Sequence, residues 1–131
     1  MPWPQGSKLL ILSTVELYAY AMAEPGGLKV YDRLLVDQLK AREESVAAAE
    51  RDLRSSGFVV TSRVIQGDPR LLIPEMAQQE HADLIVVGSH GRTGLPKLIM
   101  GSVASHVVTH APCSVVVVKQ PRASVEGTKR P

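Results

Sequence analysis

Residues 82–92 read ADLIVVGSHGR and are followed along the chain by the pair Gly101-Ser102. The run from Leu84 to Val87 is short and continuously apolar, which is typical of a strand that is covered on both faces. A glycine-rich loop follows this run, and residues 102–110 after the loop have helical character. A strand, a glycine loop and a helix in this order are the parts of a parallel α/β sheet.

The same alternation continues on both sides of this stretch. We predict three further strands and two further helices: strands at 8–15, 58–65 and 115–118, and helices at 30–56 and from Pro69 to about His81. Pro74 interrupts the pattern of the second helix, which therefore either kinks there or starts later than Pro69. Gly57 stands where a left-handed cap ends the first helix, and Glu50 and Arg54 form a favourable pair four residues apart.

This order predicts right-handed crossovers and one open parallel sheet with helices on both faces. We expect a single domain over residues 1–119 and a disordered tail over residues 120–131.

Composition narrows the function classes. The chain has 131 residues, of which 44% are hydrophobic and 4% aromatic, with a net charge of +2. Few aromatic side chains and a small charge argue against a nucleic-acid partner. No apolar run approaches the ~20 residues that span a bilayer, so no membrane partner is expected. Cys113 is the only cysteine, which fits a reducing, cytoplasmic setting, and its neighbours predict a small buried side chain.

The glycine loop has the features of an anion site. Glycines let backbone N–H groups come close to a phosphate, and the helix that opens at Gly101-Ser102 directs its free N–H groups and dipole towards an anion. The side chains that can add charge or a hydrogen bond are Ser102, Arg92 and His90. Taken alone, these residues fit tight turns equally well, and the loop is neither a dinucleotide fingerprint nor a P-loop.

The longer pattern Gly88-x2-Gly91-x9-Gly101-Ser102 resembles the signature of ATP-binding universal stress proteins, and residues 110–118 resemble the closing strand of that family. The resemblance implies a Rossmann-like fold of the adenine nucleotide alpha hydrolase type. It also implies ATP as the ligand, and leaves open whether Mg²⁺ accompanies the phosphates. The nucleotide-binding residues it implies are Gly88, Ser89, His90, Gly91, Arg92, Gly101, Ser102, Val103 and, against the adenine, Thr14 or Val15.

One part of the family pattern is missing. Family members usually open with a strand that ends in an aspartate and continues into a helix, whereas residues 6–16 resemble the family's second strand. We therefore expect a sheet shortened to about four strands and a reduced base-binding half of the site. The remaining strands either pair directly or leave a position that another chain fills.

These observations predict a nucleotide-binding regulatory module of the stress response rather than an enzyme, because no catalytic constellation stands out. The family resemblance also implies a homodimer through the edge strand Val115–Val118. The alternatives are a dimeric scaffold that binds no nucleotide and, less favoured, an adenylyl-transfer or ATP-hydrolysing enzyme. His106 and His110 have the spacing that metal sites use, but without an evident third ligand we favour a surface or helix-end role.

Overall fold

A computed structural model describes residues 3–16, 27–89 and 100–119, of which 27–31 are described by their backbone alone. Strands and helices alternate as predicted: β1 (Lys8–Val15), α1 (Gly27–Ser55), β2 (Val59–Gln66), α2 (Pro69–Gln79), β3 (Leu84–Gly88), α3 (Ser102–His110) and β4 (Ser114–Val118). The chain divides into two compact units, Met1–Asp68 and Pro69–Pro131. The predicted single domain and the predicted disorder of residues 120–131 stay predictions, since the tail lies outside the described residues.

In the first unit, β1 and β2 form a parallel pair whose register runs from Lys8 opposite Val59 to Val15 opposite Gln66. Helix α1 packs on this pair. Val46 of α1 is 7% exposed and Val60 of β2 is 4% exposed, so the apolar stripe of the helix meets the sheet here. Burial of this stripe stabilises α1 more than helix propensity alone would.

Helix α1 ends in a Schellman motif. The N–H of Gly57 donates to the carbonyl of Arg54 at 3.0 Å, and the N–H of Phe58 donates to the carbonyl of Leu53 at 3.3 Å. Gly57 has φ of 95°, a left-handed conformation that costs a glycine little. The predicted cap is confirmed, and so is the predicted ion pair, because Arg54 lies 2.9 Å from Glu50.

In the second unit, β3 and β4 pair in parallel, from Leu84 opposite Ser114 to Gly88 opposite Val118. The core contains Ala77 of α2, Ile85 of β3 and Val107 of α3. Partly buried side chains pack against these three: Ile73, Ala82, Val87, Val103, Ala111, Cys113 and Val115. Cys113, expected to be buried, is half-buried and packs against this core.

Helix α2 starts at Pro69, as predicted, and continues through Pro74, so the alternative of a later start is wrong. It ends at Gln79, two residues before the predicted end. A second Schellman motif closes it: the N–H of His81 donates to Gln78 at 3.2 Å, and that of Ala82 donates to Ala77 at 2.9 Å. His81 takes φ of 52° here, a conformation that a side chain with a Cβ adopts at a cost.

The described strands form two sheets of two strands, β1-β2 and β3-β4. Direct pairing of all four remaining strands, one of the two predicted outcomes, stays a prediction. Filling by another chain stays a prediction. Within residues 3–16, 27–89 and 100–119 no helix has the length and apolar character needed to cross a membrane.

Candidate functional site

The loop between β3 and α3 starts and ends on backbone hydrogen bonds. Ser89, directly after β3, donates its N–H to the carbonyl of Val118 at 2.9 Å. Its own carbonyl accepts the N–H of Gly101 at 2.7 Å. Ser89 is 7% exposed, so both bonds lie in the interior of the second unit. The residue that leaves β3 is thus joined to the end of β4 and to the residue that begins α3.

The amino end of α3 has an open first turn. Gly101 is the N-cap, with φ of −64° and ψ of 161°, and among the described residues no side chain caps the helix. The first helical hydrogen bond runs from the N–H of Ser105 to the carbonyl of Gly101 at 3.0 Å. The N–H groups of Ser102, Val103 and Ala104 therefore have no partner within the helix. The first turn of α3 contains no acidic residue, so its partial positive charge is not offset there.

Gly101 has a different role from the one its position first indicates. Its N–H already donates to Ser89, so the donors that remain for an anion begin at Ser102. Its backbone angles are allowed for any residue, which leaves the absence of a side chain as the property that distinguishes glycine here. Gly101 is buried and Ser102 is exposed, so the chain goes from interior to surface in one step.

The structure places five of the predicted site residues in one region. Gly88, Ser89, Gly101, Ser102 and Val103 all belong to the second unit, at the end of β3 and the start of α3. Such an arrangement at the carboxyl ends of parallel strands is where α/β sheets bind ligands. The predicted residues His90, Gly91 and Arg92 lie outside the described residues.

The predicted adenine contact lies in the first unit. Thr14 is the penultimate residue of β1 and pairs with Ile65. Thr14 is half-buried, whereas the neighbouring Val15 is 2% exposed and belongs to the core. Thr14 is thus the more exposed of the two candidates, and its contact with adenine stays a prediction.

The sequence alone did not indicate the role of one residue of this region, Val118. The carbonyl of Val118 fixes Ser89, but nothing in the string of four valines distinguishes that carbonyl from its neighbours. Its role comes from the parallel register of β3 and β4, which places Val118 opposite Gly88. Register of this kind depends on contacts between residues far apart in the chain.

Parallel strands alternating with helices, with a glycine loop opening a helix at the strand ends, define a Rossmann-like α/β protein. The family model described as "Universal stress protein family" matches residues 4–119. The chain therefore belongs to the universal stress protein family.

Individual relatives agree with this assignment. A universal stress protein of Methanocaldococcus jannaschii is 36% identical over 90 residues, which is 67% of this chain and 53% of that protein. The chain thus spans about half the length of that relative. The solved structure of universal stress protein UspA from Lactobacillus plantarum is 28% identical, with a TM-score of 0.74 over 85% of this chain and 77% of the other.

A universal stress protein family protein from Arabidopsis thaliana has been solved with AMP bound. It is 20% identical, with a TM-score of 0.55, over 93% of this chain and 71% of the other. At this level of identity the likeness concerns the fold.

Proposed function

We propose that this chain is an adenine-nucleotide-binding module, with ATP as its ligand and the phosphates at the amino end of α3. The observation that carries the proposal is the hydrogen-bonded junction of Ser89 and Gly101 beside the open first turn of α3. A helix of this kind offers consecutive N–H groups and a partial positive charge to an anion. The exposed hydroxyl of Ser102 adds one donor at the same place.

Two further points support an adenine nucleotide over another anion. The chain belongs to the universal stress protein family, and one family protein of the same fold carries AMP in its solved structure. His90, Gly91 and Arg92 complete the family pattern between the two described ends of the loop. We assign the phosphates to this loop.

The decisive experiment is a calorimetric titration of the chain with Mg-ATP, repeated with Gly101→Val. Valine fits the backbone angles of Gly101 but places a branched side chain beside the first free N–H groups. We expect saturable binding in the parent chain and at least a roughly tenfold loss in the variant, since one displaced charge-assisted contact is worth about 1.5–3 kcal/mol.

The matched control is Ala111→Val at the opposite end of the same helix. Ala111 caps α3 with φ of −66° and ψ of 144°, close to the angles of Gly101. The control adds the same side chain type far from the open N–H groups, and it should bind as the parent does. Equal loss in both variants, or no binding by a folded parent, contradicts the proposal. Titrations with AMP and ADP, with and without Mg²⁺, then determine which nucleotide and metal are preferred.

We further propose a cytoplasmic regulatory role in the stress response, without rapid turnover, in a homodimer formed through β4. A dimeric scaffold without a ligand is the second candidate, favoured by the exposed apolar residues of β4, Val116 at 43% and Val118 at 46%. A nucleotide titration with no heat change and an unaltered dimer would select the scaffold. An adenylyl-transfer or hydrolytic enzyme is the third candidate, and release of ADP or AMP during the titration would reveal it.

A further inference from the structure

The last residue pair between β3 and β4 has little side-chain packing to hold it. Gly88 lies opposite Val118 in this pair. Gly88 has no side chain, and Val118 is 46% exposed. An earlier pair joins Ile85 to Val115, which lie in the core and against it. Because the ends of short strands open more easily than pairs packed on a core, the carboxyl end of β4 opens more readily than its middle.

This end of β4 is bonded to the start of α3. Ser89 donates its N–H to the carbonyl of Val118 at 2.9 Å and accepts the N–H of Gly101 at 2.7 Å. Gly101 in turn accepts the first helical hydrogen bond of α3, from Ser105 at 3.0 Å. Ser89 and Gly101 are both buried. These three consecutive hydrogen bonds form what we call the β4–α3 junction.

The junction has two forms, because opening of the last strand pair removes the acceptor of the Ser89 N–H. Ser89 is 7% exposed, so an unpaired N–H there costs free energy until the residue moves towards water. Such a movement also displaces the carbonyl that fixes Gly101 at the start of α3. The closed form therefore holds the free N–H groups of α3 in one direction, and the open form does not. An anion at α3 binds the closed form more tightly and increases its population.

A second strand on the outer edge of β4 acts on the same equilibrium. Among the described strands, β4 pairs with β3 alone. Val118 directs its carbonyl towards β3, so alternation along the strand directs the polar groups of Val117 to the outer edge. Hydrogen bonds from a neighbouring strand to this edge hold β4 from both sides and oppose the opening of its end. A strand on the outer edge therefore increases the closed form without touching the nucleotide.

We propose that the β4–α3 junction couples the association of two copies through β4 to nucleotide binding at α3, so that each strengthens the other. This coupling rests on the proposed nucleotide binding and homodimer, and it makes each the regulator of the other. By linkage, the effect is reciprocal. A junction that is closed in about half of the monomers and in nearly all dimers gives about twofold tighter ATP binding by the dimer.

The first test measures the Kd of Mg-ATP at chain concentrations well below and well above the Kd of the dimer. Sedimentation velocity with and without saturating Mg-ATP gives the dimer Kd. We expect ATP to bind the dimer at least about twofold more tightly, and the dimer to tighten about fourfold with ATP, about twofold for each of its two sites. ATP should leave the dimer Kd of Gly101→Val unchanged, whereas the matched control Ala111→Val should respond as the parent does.

Amide hydrogen exchange followed by NMR tests the junction in the parent chain, without any substitution. Saturating ATP should slow exchange at the N–H groups of Ser89 and Gly101 roughly tenfold or more, because the end of β4 no longer opens freely. Dimer formation without nucleotide should slow the same two groups. The N–H of Ala111, which donates to Val107 at 2.8 Å at the far end of α3, is the internal reference and should not change.

Equal ATP affinity of monomer and dimer overturns the coupling and leaves the proposed nucleotide binding intact. Exchange at Ser89 that ATP does not slow has the same meaning. A chain that stays monomeric at every concentration also overturns the coupling. Absence of ATP binding at every chain concentration overturns the proposed function together with the coupling, so the two failures are distinguished.

Discussion

At the scale of the residue, Val107 shows how much the stability of the second unit depends on single side chains. It is 0% exposed and lies in the core with Ala77 and Ile85. Its neighbour Val108 is 48% exposed on the same helix. Two adjacent valines, identical in helix propensity, therefore differ only in what surrounds them.

We expect Val107→Ala to lower the free energy of unfolding by about 2 kcal/mol, from two lost methyl groups and the cavity they leave. Val108→Ala is the control and should change it by less than about 0.5 kcal/mol. Chemical denaturation followed by circular dichroism measures both. Equal effects in the two variants would mean that the core is not packed around Val107.

Ser89 and Gly101 are two further residues whose individual roles can be stated. Their roles rest on backbone groups, since Ser89 accepts from Gly101 and donates to Val118 through its main chain. Substitution of the Ser89 side chain therefore leaves these two bonds formally intact. A substitution at Ser89 therefore differs from Gly101→Val, because valine at position 101 fills space at the start of α3.

At the scale of the element, α1 is tied to β2 by a small polar network. Glu50 of α1 accepts a hydrogen bond from the hydroxyl of Ser62 on β2. Arg54 donates to the carbonyl of Val60 at 2.9 Å and lies 2.9 Å from Glu50. The Glu50 side chain is 19% exposed and that of Arg54 is 60% exposed. Solvent therefore weakens the ion pair, and the contacts to β2 contribute most.

Glu50→Ala should destabilise the chain by about 1 kcal/mol, because the Ser62 hydroxyl loses its acceptor and Arg54 loses its partner. Glu44→Ala is a matched control, since Glu44 is exposed on the same helix and the change in helix propensity is identical. Thermal unfolding of the two variants measures the difference. If both melt at the same temperature, the network contributes nothing measurable.

At the scale of the whole molecule, the chain is organised as two compact units, each with a sheet of two parallel strands. Small sheets of this type leave strand edges and sheet faces exposed, whereas larger parallel sheets cover them. Val86 of β3 is 58% exposed and Val116 of β4 is 43% exposed, and the two residues are paired in register. Exposed apolar strands of this kind favour association with another chain.

The outer edge of β4 is the surface on which the predicted homodimer depends. Because Val118 accepts from Ser89, its backbone polar groups point towards β3. Alternation along a strand then directs the N–H of Val117 to the opposite, outer edge. We expect Val117→Pro to convert the dimer to a monomer that keeps the β3-β4 pair, since proline removes only an outward donor.

Val116→Pro is the contrasting variant, because the N–H of Val116 points towards β3. It should lower stability as well as dimer content. Sedimentation velocity and thermal unfolding separate the two outcomes. A parent chain that is already monomeric, or a dimer that survives Val117→Pro, would contradict association through this edge.

Much of this organisation was predictable from the sequence, because it depends on neighbours in the chain. Apolar runs and helical periodicity predicted all seven elements that the described residues form, with ends that differ by a few residues. The left-handed Gly57 and the pair of Glu50 and Arg54 followed from local rules. The glycine pattern and its context also predicted the family.

The tertiary structure decided what depends on residues far apart. The partition into two sheets, the burial of Val107 rather than Val108 and the bond between Ser89 and Val118 follow from strand register and packing. The same holds for Gly101, whose N–H is already bonded although its sequence position indicated a free donor. Periodicity specifies which face of an element is apolar, but only the assembled chain determines which backbone groups meet across it.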